Sequence, residues 1–94
     1  MADYLVRVEL FDANSEDYES LYDAMATLGF SKTIQSPGGV VRKLPTGTYV
    51  GVKATSVADV RDSVCKIANP LSSKAAAVFV CSFTDWASLL YADS

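Results

Sequence analysis

The sequence predicts an α+β domain of the ferredoxin-like, split βαβ type. The order is β-α-β-β-α-β with a short C-terminal helix, an antiparallel sheet and both helices on one sheet face. Two observations carry this. The hydrophobic period changes from two to about 3.6 and back again, twice along the chain. The two halves so defined are βαβ units of similar size. With 94 residues the chain forms one domain, residues 1–94. A chain of this size buries roughly 60–70% of its unfolded surface, so one modest core is feasible.

The first element is "DYLVRVELF". Tyr4, Val6, Val8 and Leu10 point one way, and Leu5, Arg7, Glu9 and Phe11 the other. Asn14 or Ser15 can cap the helix that follows, and Glu16 and Asp17 suit its positive first turn. Tyr18, Leu21, Met25 and Leu28 form its apolar stripe, and Gly29 is placed to end it. "FSKTIQ" reads as the second strand. "SPGG" is a turn in which Pro37 pre-sets the backbone angle.

Val40–Leu44 and Thr48–Lys53 read as strand, broken at Pro45, which has no N–H for a ladder. On the alternation assigned here, Val50 and Val52 face the core. Tyr49 and Lys53 join Arg7 and Glu9 on the open face. Thr55 or Ser56 caps the second helix, with Ser56 and Asp59 spaced as a capping box. Its stripe is Val57, Val60, Val64 and Ile67, and Asn69-Pro70 stops it. "AAAVFVCSF" is the last strand, apolar on both parities. Such a strand needs cover on both faces. A homodimer would supply it, and so would the closing helix "DWASLLYA" folded back with Trp86, Leu89 and Leu90.

Half of the residues are hydrophobic, and no apolar run approaches the ~20 residues of a membrane span. Two cysteines, Cys65 and Cys81, are too few for a disulfide scaffold. These features point to a cytoplasmic protein. The net charge is −3, but it is unevenly spread. Seven of the eleven acids lie between Asp3 and Asp23, and from there to Asp59 the only charges are Lys32, Arg42, Lys43 and Lys53. A dipolar surface of this kind attracts an anion locally even when the net charge repels it.

With no histidine, Ser-His and Cys-His nucleophile pairs are excluded. No CxxC or EF-hand spacing offers a metal site within one chain. Asp12, closing the first strand, is the candidate catalytic carboxylate. Two copies in a dimer would let a Mg²⁺ ion be shared; the alternative is that Asp12 shapes the turn. Lys32, Arg42, Lys43, Tyr49 and Lys53 are the candidate nucleic-acid-binding set, cations for phosphate and an aromatic for a base. Charges along an edge strand also block aggregation, which is the plainer reading of the same residues. Tyr18 reads as packing and Tyr22 as a surface flank. Glu16, Asp17, Glu19 and Asp23 make the first helix acidic, either as a solvated face or as a docking surface for a protein partner.

The pattern resembles the GhoS-type small antitoxins. The resemblance rests on Phe11-Asp12, on Leu21, Met25 and Phe30, on Arg42-Lys43-Leu44 followed by Tyr49, on Thr55-Ser56, and on Thr84-Asp85-Trp86. It implies a ferredoxin-like fold similar to the small nuclease-like subunit of CRISPR adaptation complexes. It also implies endoribonuclease action on a toxin transcript. Family members carry an arginine in the middle of helix one, where "ESLYDAMA" has none. The expected function is RNA binding or cleavage, with Asp12, Arg42 and Lys43 acting together in cleavage. The alternative is a non-catalytic interaction module, for example a phage- or plasmid-encoded inhibitor, using the acidic helix.

Overall fold

The computed structural model describes residues 1–36 and 38–91. The turn role expected of Pro37 and the end of the tail at Ala92 lie outside the described residues. The elements are β1 (Ala2–Glu9), α1 (Ser15–Thr27), β2 (Thr33–Gln35), β3 (Val41–Lys43), β4 (Thr48–Lys53), α2 (Val57–Ala68) and β5 (Ala77–Phe83), with a 3₁₀ turn at Asn69–Leu71. β1 is central, antiparallel to β4 on one side and to β5 on the other. β2 and β3 form a hairpin. The hairpin joins the sheet through Ser31 and Val50, which exchange backbone bonds of 2.8 and 2.9 Å. The α+β arrangement is compatible with a ferredoxin-like split βαβ fold, except that β2 pairs with β3 in a separate two-stranded sheet and not in the expected single sheet.

The alternation read in β1 holds. Tyr4, Val6, Val8 and Leu10 are buried, while Arg7 and Glu9 are exposed. The buried set joins Leu21 and Met25 of α1 and Val60, Val64 and Ala68 of α2 in one cluster, so both helices cover the same sheet face. Fully burying an aliphatic side chain of this size contributes about 1.5–3 kcal/mol. Leu21, Met25, Val6 and Val64 are the largest side chains so enclosed. On α2 the buried line is displaced from the expected stripe, because Val57 is exposed and Ala68 takes the last buried position.

Both helices are capped at expected residues, α1 by Asn14 and α2 by Ser56, but the box expected of Ser56 and Asp59 is only half made. Asn14 and Asp17 exchange reciprocal bonds of 3.0 Å between side chain and backbone, a complete capping box. Ser56 accepts from the Asp59 N–H at 3.1 Å. α1 ends in a Schellman motif: Phe30 N–H donates to Met25 C=O and Gly29 N–H to Ala26 C=O. Gly29 has φ +92°, a conformation glycine adopts without the clash a Cβ would bring.

Three expectations are corrected. First, Tyr49 does not face the open side. The register pairs Val6 with Tyr49 and Tyr4 with Gly51, placing Tyr49 on the helix-covered face, where it is 4% exposed. Lys53 shares that parity, and its ammonium lies 5.6 Å from the centroid of the Phe30 ring. Val50 and Val52 take the open face, with Val52 exposed. The reason is Gly51: a Cβ there would stand 2.6 Å from Gly29 O and 2.7 Å from the Phe30 ring. The end of α1 crosses β4 at that point, so the face bearing the glycine must turn inward.

Second, the segment Thr84–Tyr91 is not helical. It runs without regular secondary structure to the hairpin, where Tyr91 C=O accepts from the Lys43 N–H at 2.9 Å. Trp86 lines a shallow surface depression with Ile34, Val50 and Val52. The tail therefore crosses the β2–β4 side of the open face instead of folding back on β5 as a helix. Third, among the described residues the tail does not cover the open face of β5. Phe79, opposite Arg7 on the open face, is 64% exposed.

Candidate functional site

A groove of about 370 Å³ lies between α1 and the segment that links β3 to β4. One wall is a single helix face, Ser15, Tyr18, Glu19 and Tyr22, at the i, i+3, i+4, i+7 spacing that stacks side chains on one side. The opposite wall runs from Lys43 through Leu44, Pro45, Thr46 and Gly47 to Tyr49, with Lys32 at one margin. The turn is held against β1 by Val8 N–H donating to Gly47 C=O at 2.8 Å, and is closed by Thr48 N–H to Pro45 C=O at 3.0 Å. Gly47 has φ +79°, and a Cβ there would lie 2.5 Å from Val8 O, so this tight approach requires glycine. Lys43 is brought in by the hairpin, with Leu44 N–H donating to Lys32 C=O at 2.9 Å.

Three tyrosines meet here. The Tyr18 hydroxyl accepts from Leu10 N–H at 3.0 Å, which ties the helix to the end of β1. The Lys32 ammonium lies 4.4 Å from the centroid of the Tyr22 ring, a cation–π arrangement. Burial, reinforced by the neighbouring Tyr18 and Tyr22, pushes the Tyr49 phenol up to about 12. Tyr49 therefore stays protonated, able to donate and to accept a hydrogen bond.

Of the set expected to bind nucleic acid, Lys32, Lys43 and Tyr49 meet at this groove, and Arg42 and Lys53 do not line it. Adjacent strand residues face opposite ways, which separates Arg42 from Lys43. Tyr18, Tyr22 and Glu19 complete the site although sequence reasoning gave them other roles. The signal available for the two tyrosines was their i, i+4 spacing on α1. The segment they face is assembled only by the fold.

Asp12 does not line the groove. It sits in a left-handed turn at φ +52°, and its carboxylate accepts from Ser73 Oγ at 2.7 Å. Ser72 Oγ accepts from Phe11 N–H at 2.9 Å, so the Ser72–Ser73 loop braces the end of β1. This is the turn-shaping geometry for which aspartate is suited. Among the described residues no three His, Cys, Asp or Glu side chains gather where they could hold a metal ion. Of the acids on α1, Asp17 is committed to the capping box and Glu19 to the groove, leaving Glu16 and Asp23 on the solvated surface. Among the described residues no helix is long and apolar enough to cross a membrane.

No curated protein matches the chain. Residues 1–88 match a family described as Endoribonuclease GhoS. That match spans every helix and strand described above, including both walls of the groove. The chain belongs to the GhoS endoribonuclease family.

Proposed function

We propose that this protein acts on RNA in the manner of a GhoS-type antitoxin, and that the groove beside α1 is where it meets the strand. One observation carries the reading: in a chain of net charge −3, two lysines and three tyrosines converge on one concavity. Lysines neutralise phosphate and aromatic rings take bases, the pairing expected of a single-strand binding surface. The family supports the same target.

Binding and cleavage are tested separately. Purified protein is incubated with structured and single-stranded RNAs, with and without Mg²⁺, and both retention and product lengths are followed. Binding without cleavage supports RNA recognition alone. Cleavage lost in Asp12→Ala, with binding retained, supports the carboxylate role expected of Asp12. Equal cleavage by that variant leaves Asp12 its turn alone. Absence of both binding and cleavage overturns the proposal.

The reading extends to a homodimer. β5 is an edge strand carrying exposed Phe79 next to half-buried Cys81 and Phe83 on the open face. Edge strands with apolar faces invite pairing. Sedimentation of the parent and Phe79→Asp should give a dimer and a monomer respectively; a monomeric parent removes this part.

A further inference from the structure

We infer that the groove seats one unpaired nucleotide of single-stranded RNA, its phosphate on Lys43 and Lys32 and its base within the walls formed by Tyr18, Tyr22 and Tyr49. The inference rests on the RNA reading above and deepens it.

Size limits the occupant. The groove, at about 370 Å³, falls at the small end of ligand pockets, which run from about 300 to 1,000 Å³. It has room for a nucleotide and none for a duplex. In A-form helices the base faces are stacked and the major groove is too narrow for side chains, so a walled groove reaches a base only when that base is unpaired.

Charge orients the occupant. Glu19 is the one acid lining the groove among the described residues, against Lys32 and Lys43. The Lys32 ammonium is already held over the Tyr22 ring. A phosphate drawn to it is therefore drawn to the aromatic wall, and less side-chain freedom is lost on binding.

A polar group opens on the groove. Tyr49 is 4% exposed as a residue and lines the groove, while its hydroxyl is not among the enclosed oxygens that lack a partner. Tyr18 has its hydroxyl satisfied by Leu10. The Tyr49 phenol is a donor and acceptor ready for a base edge or a ribose hydroxyl.

The test measures affinity for one RNA sequence, single-stranded and as a duplex, by fluorescence anisotropy at several salt concentrations. The proteins are the parent, Tyr22→Ala, Tyr49→Phe, Lys43→Gln and, as a charge control on α2, Arg61→Gln. Thermal melts confirm folding, and Tyr49→Phe keeps the buried ring. Single strands should bind at least about tenfold more tightly than duplex, and Tyr22→Ala should lose about tenfold. Tyr49→Phe should lose about fivefold, the effect of one hydrogen bond. Lys43→Gln should flatten the salt dependence, and Arg61→Gln should match the parent. A nucleoside monophosphate should compete, and an acidic peptide should not. RNA binding that ignores strandedness and these groove variants, or that yields to the peptide and not to the nucleotide, overturns this inference and leaves the RNA reading standing. Absence of any RNA binding or cleavage overturns both.

Discussion

The backbone N–H of Lys43 donates to the carbonyl of Tyr91 at 2.9 Å, so the C-terminal segment is fastened to the strand that carries one of the two groove lysines. β3 has only three residues, and the hairpin meets β4 through the Ser31–Val50 bridge. The tail is thus a second anchor for Lys43. Deleting the chain after Phe83 should speed exchange of the Lys43 amide at least tenfold and weaken RNA binding, with β1 amides unchanged. Equal Lys43 exchange in both forms would show that the tail carries no load. Trp86, the single tryptophan, reports on the same docking by a red-shifted emission in Ile34→Lys.

Gly51 explains the orientation of β4. Gly51→Ala should destabilise the fold by about 1–3 kcal/mol, because its Cβ meets the Gly29 carbonyl and the Phe30 ring. Gly38→Ala, with nothing within 4 Å of the added atom, is the control and should be nearly neutral. Denaturant unfolding separates the two; equal stabilities would remove the packing reason for the register.

The same residue shows what the sequence made legible. Alternation in β1 was readable because Tyr4, Val6, Val8 and Leu10 are all large and apolar. In β4 both parities offer apolar residues, and the deciding fact is the closeness of the α1 terminus, which no local pattern encodes. The caps at Asn14 and Ser56 were legible because capping is a contact across three residues. The helix expected at Trp86–Leu90 was not, since its apolar spacing suits a helix while the free edge of β3 offers the tail a partner. Lys32, Lys43 and Tyr49 were identified as candidates, but only the hairpin's position shows that Arg42 and Lys53 do not join them at the groove.

Tyr49 gives the fold an alkaline limit. Its phenol is raised from 10.0 to about 12, chiefly by burial. A raised value means the protonated form is favoured by folding. The associated stability is fully present below pH 10 and is lost as pH rises towards about 12. Chemical denaturation at stepped pH should show this decline in the parent and a shallower one in Tyr49→Phe. Parallel declines would assign the loss to other groups.

Thr48 is 4% exposed and its hydroxyl is buried without a partner among the described residues. A buried unpaired hydroxyl opposes folding, so Thr48→Val, nearly the same shape, should be neutral or stabilising by about 1 kcal/mol. A loss of stability on thermal unfolding would reveal a partner for that oxygen.

The most direct test of the RNA reading is the salt dependence of single-stranded RNA binding by the parent and by the Lys32→Gln, Lys43→Gln double variant. Each phosphate neutralised on a single strand contributes about 0.7 to the slope of log affinity against log salt. The double variant should therefore bind more weakly, with a slope shallower by about 1.4. An unchanged slope and affinity would contradict a groove that holds RNA through Lys32 and Lys43.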